Sequence, residues 1–177
     1  MKRMLSGICT ATLTAMFMLG APAVSAHAQV SGDESFDGKL VTHSDAAGNR
    51  TVLASVVRMN GVFKGVGHIV ERDNLPTDPE NVNRDDLVFR QGTVHFVNTQ
   101  TSFDVTVNPR SCVLHFVIEE VSNVVGGTGV FANASGSLPG TLHAMAVADR
   151  NPDHSCSMEL PLLFELDNVE ANGTLTL

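Results

Sequence analysis

Two histidines, His95 and His115, sit within apolar runs, and Glu119 follows His115 by four residues. Imidazoles and a carboxyl on neighbouring strands can pass a proton to and from a bound molecule. His95, His115 and Glu119 are therefore the candidate acid–base set. In an extended chain His115 and Glu119 share a face, so the carboxylate can tune the imidazole. The competing reading makes all three half-buried or solvated strand residues. Arg58, His68, Arg90, Asp104 and Glu165 are single polar groups on strand-like runs and read as surface. Other chemistries lack their signatures. No His-x-His or His-x-x-x-His pair marks a metal site, and no Gly-x-Ser-x-Gly elbow supports a hydrolytic serine. The run holding Asp73, Asp78, Glu80, Asp85 and Asp86 has the charge to attract Ca²⁺ but not the regular Asp-x-Asp-x-Asp-Gly order. No metal and no cofactor is expected.

Those side chains need a scaffold, and the start of the chain says where it matures. Met1-Lys2-Arg3 is basic, residues 4–19 are apolar, and Val24-Ser25-Ala26-His27-Ala28 supplies small residues for cleavage. This is the pattern of a secretory signal peptide, with cuts fitting after Ala26 or, preferably, Ala28. The apolar run is short and interrupted, and no later stretch approaches the roughly 20 apolar residues of a membrane span. A secreted protein of residues 29–177, one domain without stable membrane insertion, is expected.

Without Lys2 and Arg3 the 11 basic residues become 9 against 19 acidic, a balance of −10. Such a surface repels nucleic acid and anionic lipid. Trp and Tyr are absent, which weakens readings that stack sugars or bases on rings. Cys9 leaves with the leader, and Cys112 and Cys156 remain. Each follows an Asn-Pro turn and opens an apolar run. An even pair in an oxidising compartment reads as a disulfide, with free thiols or metal ligands as the alternative.

Helical periodicity is missing, and short β-branched runs between turn residues recur instead. They cover about 36–43, 50–59, 62–71, 87–90, 93–98, 102–107, 113–121, 130–134, 141–148, 158–167 and 173–177. Asn60-Gly61 and Gln91-Gly92 read as hairpin turns, and 72–86 as a polar loop. With some runs merged, about eight to ten strands are expected, in an all-β barrel or sandwich. The run 113–121 is apolar on both faces, so it lies between two layers or at a homo-oligomer interface. In 158–167 the face Met158, Leu160, Leu162, Phe164, Leu166 is apolar, and the alternate face carries Glu159, Glu165 and Asp167.

The string Gly126-Gly127-Thr128-Gly129-Val130-Phe131-Ala132-Asn133-Ala134-Ser135-Gly136 resembles the Gly-Gly-Thr-Gly-x-Phe element of the allene oxide cyclase and dirigent barrel superfamily. The likeness covers about residues 85–150, with Gly92-Thr93 opening the strand that precedes two long runs and the string. It implies a single antiparallel, calycin-like barrel of about eight strands with an apolar interior. Gly126, Gly127, Gly129 and Gly136 would let the sheet turn. Phe131 would plug an end, and Phe96, Phe116, Phe131 and Phe164 would contact an apolar ligand. Members of such a family hold a reactive molecule in one shape and exclude water, which implies cofactor-free cyclisation or isomerisation of an apolar small molecule. A non-catalytic carrier or cell-surface interaction module is the alternative. The cyclase reading requires a dry cavity of a few hundred Å³, the size of a ligand site.

Overall fold

The structure is a computed structural model that describes residues 29–45, 47–157 and 162–177. The expected leader, residues 1–28, lies outside the described residues, as does the segment 158–161. Eight antiparallel strands follow one another in chain order and close into a barrel. They are β1 (Ser31–Ser44), β2 (Arg50–Gly61), β3 (Lys64–Arg72), β4 (Val82–Phe89), β5 (Gly92–Asn108), β6 (Val113–Gly127), β7 (Ser135–Val147) and β8 (Phe164–Thr176). β1 pairs with β8 from Ser31–Thr176 to His43–Phe164 and seals the sheet. Closure removes the free edges that an open sheet of this size would expose.

Several expected runs merge. The runs 93–98 and 102–107 form β5, bent by a register shift between Gln100 and Ser102. The run 130–134 is not a strand. Gly129–Phe131 forms one 3-10 turn between β6 and β7, because Gly129 has φ +59° and its missing Cβ would lie 2.1 Å from the carbonyl of Gln91. Gly126 and Gly127 close β6, and Gly136 belongs to β7 rather than to the turn. Gln91-Gly92 lies at the β4–β5 turn as expected. Asn60-Gly61 does not form the preceding turn, since Asn60 pairs with Lys64 and the turn falls at Val62-Phe63. Gly61 serves close approach instead: a Cβ there would sit 2.2 Å from the carbonyl of Asp33 on β1.

The core fills one end of the barrel. Met59, Phe63, Phe89, Val94, Phe131, Leu138 and Leu175 are buried together. The Phe131 ring meets Phe63 edge-on at 4.7 Å and Phe89 at 5.7 Å. At the other end β5, β6 and β7 run past their neighbours. There the disulfide Cys112–Cys156, with Cα atoms 5.3 Å apart, ties the β5–β6 turn to the segment after β7. Leu114, Phe116, Ala148 and Leu162 pack around it. Closing this loop stabilises the fold by about 4 kcal/mol in the chain-entropy picture. Among the described residues no layer covers the outer face of β6: His115, Val117 and Glu119 point outward and are exposed.

The barrel is thinnest between β2 and β3, which pair only over Val57–Asn60 and Lys64–Gly67. Beyond that point Ser55 replaces the ladder. Its hydroxyl donates to the Ile69 carbonyl at 2.9 Å and accepts from the Ile69 N–H at 2.7 Å. Ser55→Ala leaves both groups of Ile69 unpaired and should cost about 1–3 kcal/mol. Urea unfolding checks this, and amide exchange at Ile69 should accelerate in the same variant. Unchanged exchange there would show that the seam is held by other contacts.

Candidate functional site

Towards the open end the inward-facing residues change character on strand after strand. β4 passes from Phe89 and Leu87 to Asp85 and Asn83, β5 from Phe96 to Asn98, and β3 from Ile69 to Glu71. β8 passes from Val169 to Asp167 and Glu165, and β1 from Leu40 to Thr42 and Ser44. β6 goes from Val124 to Ser122 and Glu120 before returning to Ile118. The result is a lumen of about 710 Å³ with an apolar floor of Phe36, Leu87, Phe96 and Val169 beneath a belt of polar side chains. The size suits a small molecule. The wall differs from the dry interior expected, because acidic residues that read as surface alternate inward in register with the core.

Three belt carboxyls hold their protons unusually tightly. Burial pushes Glu120 up to about 7, helped by the charge of Asp85. Asp167 is raised to about 7 by burial and then by Glu165, against the pull of Arg50. Asp85 is raised to about 6 by burial and by Glu71, while the Asn98 side-chain amide, donating at 2.6 Å, opposes the shift. Near neutral pH the belt therefore contains both proton donors and proton acceptors, the condition for acid–base work in one site.

Arg50 spans the mouth. Its guanidinium binds Glu71, donates to Glu165 at 2.9 Å and to the Thr42 hydroxyl at 3.1 Å, and stands 3.8 Å from Asp167. Arg84 is occupied elsewhere, forking onto Asp78 at 2.6 and 2.9 Å and holding that carboxyl down to about 2. The acidic run with the charge to attract Ca²⁺ is thus divided: Asp78 faces Arg84, Asp85 faces the lumen, and Asp86 faces outward. Among the described residues no three His, Cys, Asp or Glu side chains are placed to hold a metal ion.

The acid–base set expected from sequence is not brought together. His95 lies between the inward Val94 and Phe96, so it points out of the barrel, with Nδ1 2.6 Å from Asp86. The other oxygen of Asp86 accepts from Arg72 at 2.8 Å. His115 is exposed on the outer wall. Glu119, also outward, accepts from the Thr141 hydroxyl at 3.0 Å. Strand parity is the reason: Leu114, Phe116, Ile118 and Glu120 take the inner face of β6, so the odd-numbered set must face solvent. Of the four phenylalanines only Phe96 lines the lumen. Phe131 is sealed in the plug, and Phe116 stacks near Phe103 at 5.7 Å beyond the cavity. Phe164 lies on the outer face of β8, opposite Glu165 and Asp167. One signal for the true belt was present in the sequence: Glu120 is a lone carboxyl on the most apolar face of the chain. No family model, no curated protein and no solved structure matches this chain.

Proposed function

We propose that the chain is an exported barrel that takes an apolar small molecule into its lumen and guides an isomerisation or cyclisation by moving a proton. The observation that carries this reading is the juxtaposition of an apolar floor with Glu120, Asp167 and Asp85, carboxyls poised between their charged and neutral forms near pH 7. A wall of this kind can remove a proton from one carbon and return it at another while Phe36, Leu87 and Phe96 hold the molecule in a single shape. No cofactor is required for such a step. The leader-like start and the disulfide suit an oxidising compartment outside the cytoplasm. The glycine string supports kinship with the allene oxide cyclase and dirigent barrels.

The test uses 5-nitrobenzisoxazole, a probe for a carboxylate base in an apolar pocket. The base takes the ring C–H proton, the N–O bond breaks, and a nitrile phenolate forms whose absorbance is followed directly. The expected rate rises with pH through about 7, as the belt loses its protons, and falls about 100-fold in Glu120→Gln combined with Asp167→Asn. Binding of the probe with no turnover above that double variant would replace the catalytic reading with a carrier.

A further inference from the structure

The belt is dominated by carboxyls, and this bears on what the lumen admits. Its inward groups are Asp85 and Asn83 from β4, Asn98 from β5, Ser122 and Glu120 from β6, Asp167 with Glu165 from β8, and Thr42 with Ser44 from β1. Glu71 from β3 and Arg50 from β2 stand at the mouth. The guanidinium of Arg50 is already engaged by Glu71, Glu165 and Thr42. The other two arginines of the lining are engaged by Asp78 and Asp86. Two buried polar atoms in the lining have no partner among the described residues: the acceptor Oδ1 of Asp167, a residue 8% exposed, and the Oγ of Ser122, a residue 1% exposed, whose hydroxyl can donate or accept. A buried acceptor without a donor is costly and is satisfied by whatever donor enters.

We propose that the natural ligand is an amine: an apolar body that lies on Phe36, Leu87, Phe96 and Val169, with an ammonium head in the acidic belt against the unpaired oxygen of Asp167. This rests on reading the lumen as a ligand site. An ammonium offers three donors and a positive charge to a belt supplied with acceptors and carboxyls. A hydroxyl head offers one donor, and a carboxylate head offers none and adds a like charge. The carboxyls are spread over β4, β6 and β8 rather than gathered about one point, which suits an organic cation. Burial, and then Asp85 beside Glu120 and Glu165 beside Asp167, raises the proton affinities of these two carboxyls, and a cation entering the belt favours their charged forms.

Decylamine, decanol and decanoate share one tail and differ only in head, so calorimetric titration at pH 8 isolates the belt. Decylamine is expected to bind with one site and at least about tenfold more tightly than decanol, and decanoate more weakly than either. In Asp167→Asn with Glu120→Gln, shown folded by circular dichroism, the preference for amine over alcohol should shrink to about threefold or less. Equal binding of amine and alcohol, or tighter binding of decanoate, overturns the amine assignment and leaves the ligand lumen standing. An amine preference that survives the double variant also overturns it, because the head then does not depend on Asp167 and Glu120. Failure of all three to bind removes the lumen reading itself.

Discussion

Alanine at Phe131 is expected to lower the unfolding free energy by about 3–5 kcal/mol, the range for deleting a fully buried aromatic ring. That is a large fraction of the stability of an ordinary domain. Phe131 is 0% exposed, and its ring is clamped by Phe63 and Phe89 in the plug that closes the barrel. The 3-10 turn that carries it stands between β6 and β7, so a void there loosens the contact between two neighbouring strands and the barrel floor. Val130, the preceding residue in the same turn, is 50% exposed. Val130→Ala should stay within about 0.5 kcal/mol of the parent. Urea unfolding of the two variants checks both numbers. A loss below about 1 kcal/mol at Phe131 would mean that the plug does not depend on this ring.

Stability should also fall as pH rises from about 5 to about 8. Asp85, Glu120 and Asp167 bind their protons more tightly in the folded chain than in the unfolded one. Between the unfolded values near 4 and the folded values of about 6 to 7 the native state therefore holds more protons, and stability declines through that window. Each unit of difference is worth about 1.4 kcal/mol. The three coupled groups together should weaken the fold by on the order of several kcal/mol once all are charged. Asp78, held down to about 2 by Arg84, acts in the opposite sense, but only in more acidic solution. Glu120→Gln removes the clearest share, because the shift at Glu120 comes from burial and then Asp85, with no hydrogen bond to a described residue contributing. The variant should melt at higher temperature than the parent at pH 8 and close to it at pH 5. A parent that is more stable at pH 8 than at pH 5 would contradict the burial of these carboxyls. A belt that weakens the fold at the pH where it is charged is the usual relation between a functional site and stability.

The barrel was legible because the dominant signal, β-branched runs punctuated by Gly, Pro and Asn, depends on local alternation. Strand existence survived except at 130–134, while strand limits did not. Val82–Asp86 read as polar loop because Asn83, Arg84, Asp85 and Asp86 outweigh Val82, yet β4 needs them to reach the open end. The site was harder to find for the same physical reason. In 158–167 polarity assigns Phe164 and Leu166 to the interior. The rest of β8, with Val169, Ala171 and Leu175 inward, fixes the opposite parity and brings Glu165 and Asp167 into the lumen. Parity is set over the whole strand, so a short window near an open mouth misleads. Glu119 and Glu120 are adjacent carboxyls with opposite fates: one is hydrogen-bonded to Thr141 on the outer wall, and the other is buried in the belt.

Ile69 and Ile118 are the isoleucines of residues 29–177, and both line the lumen. A protein labelled at the isoleucine δ1 methyls therefore reports on the cavity from two opposite strands, and valine labels at Val66, Val117 and Val125 report on the exposed outer wall. Titrating neutral decanol into this sample asks where an apolar molecule goes, independently of charge and of catalysis. Both isoleucine signals are expected to shift and saturate together at one equivalent, with the three valines unmoved. Shifts confined to the valines, with Ile69 and Ile118 silent, would contradict a lumen that receives small molecules.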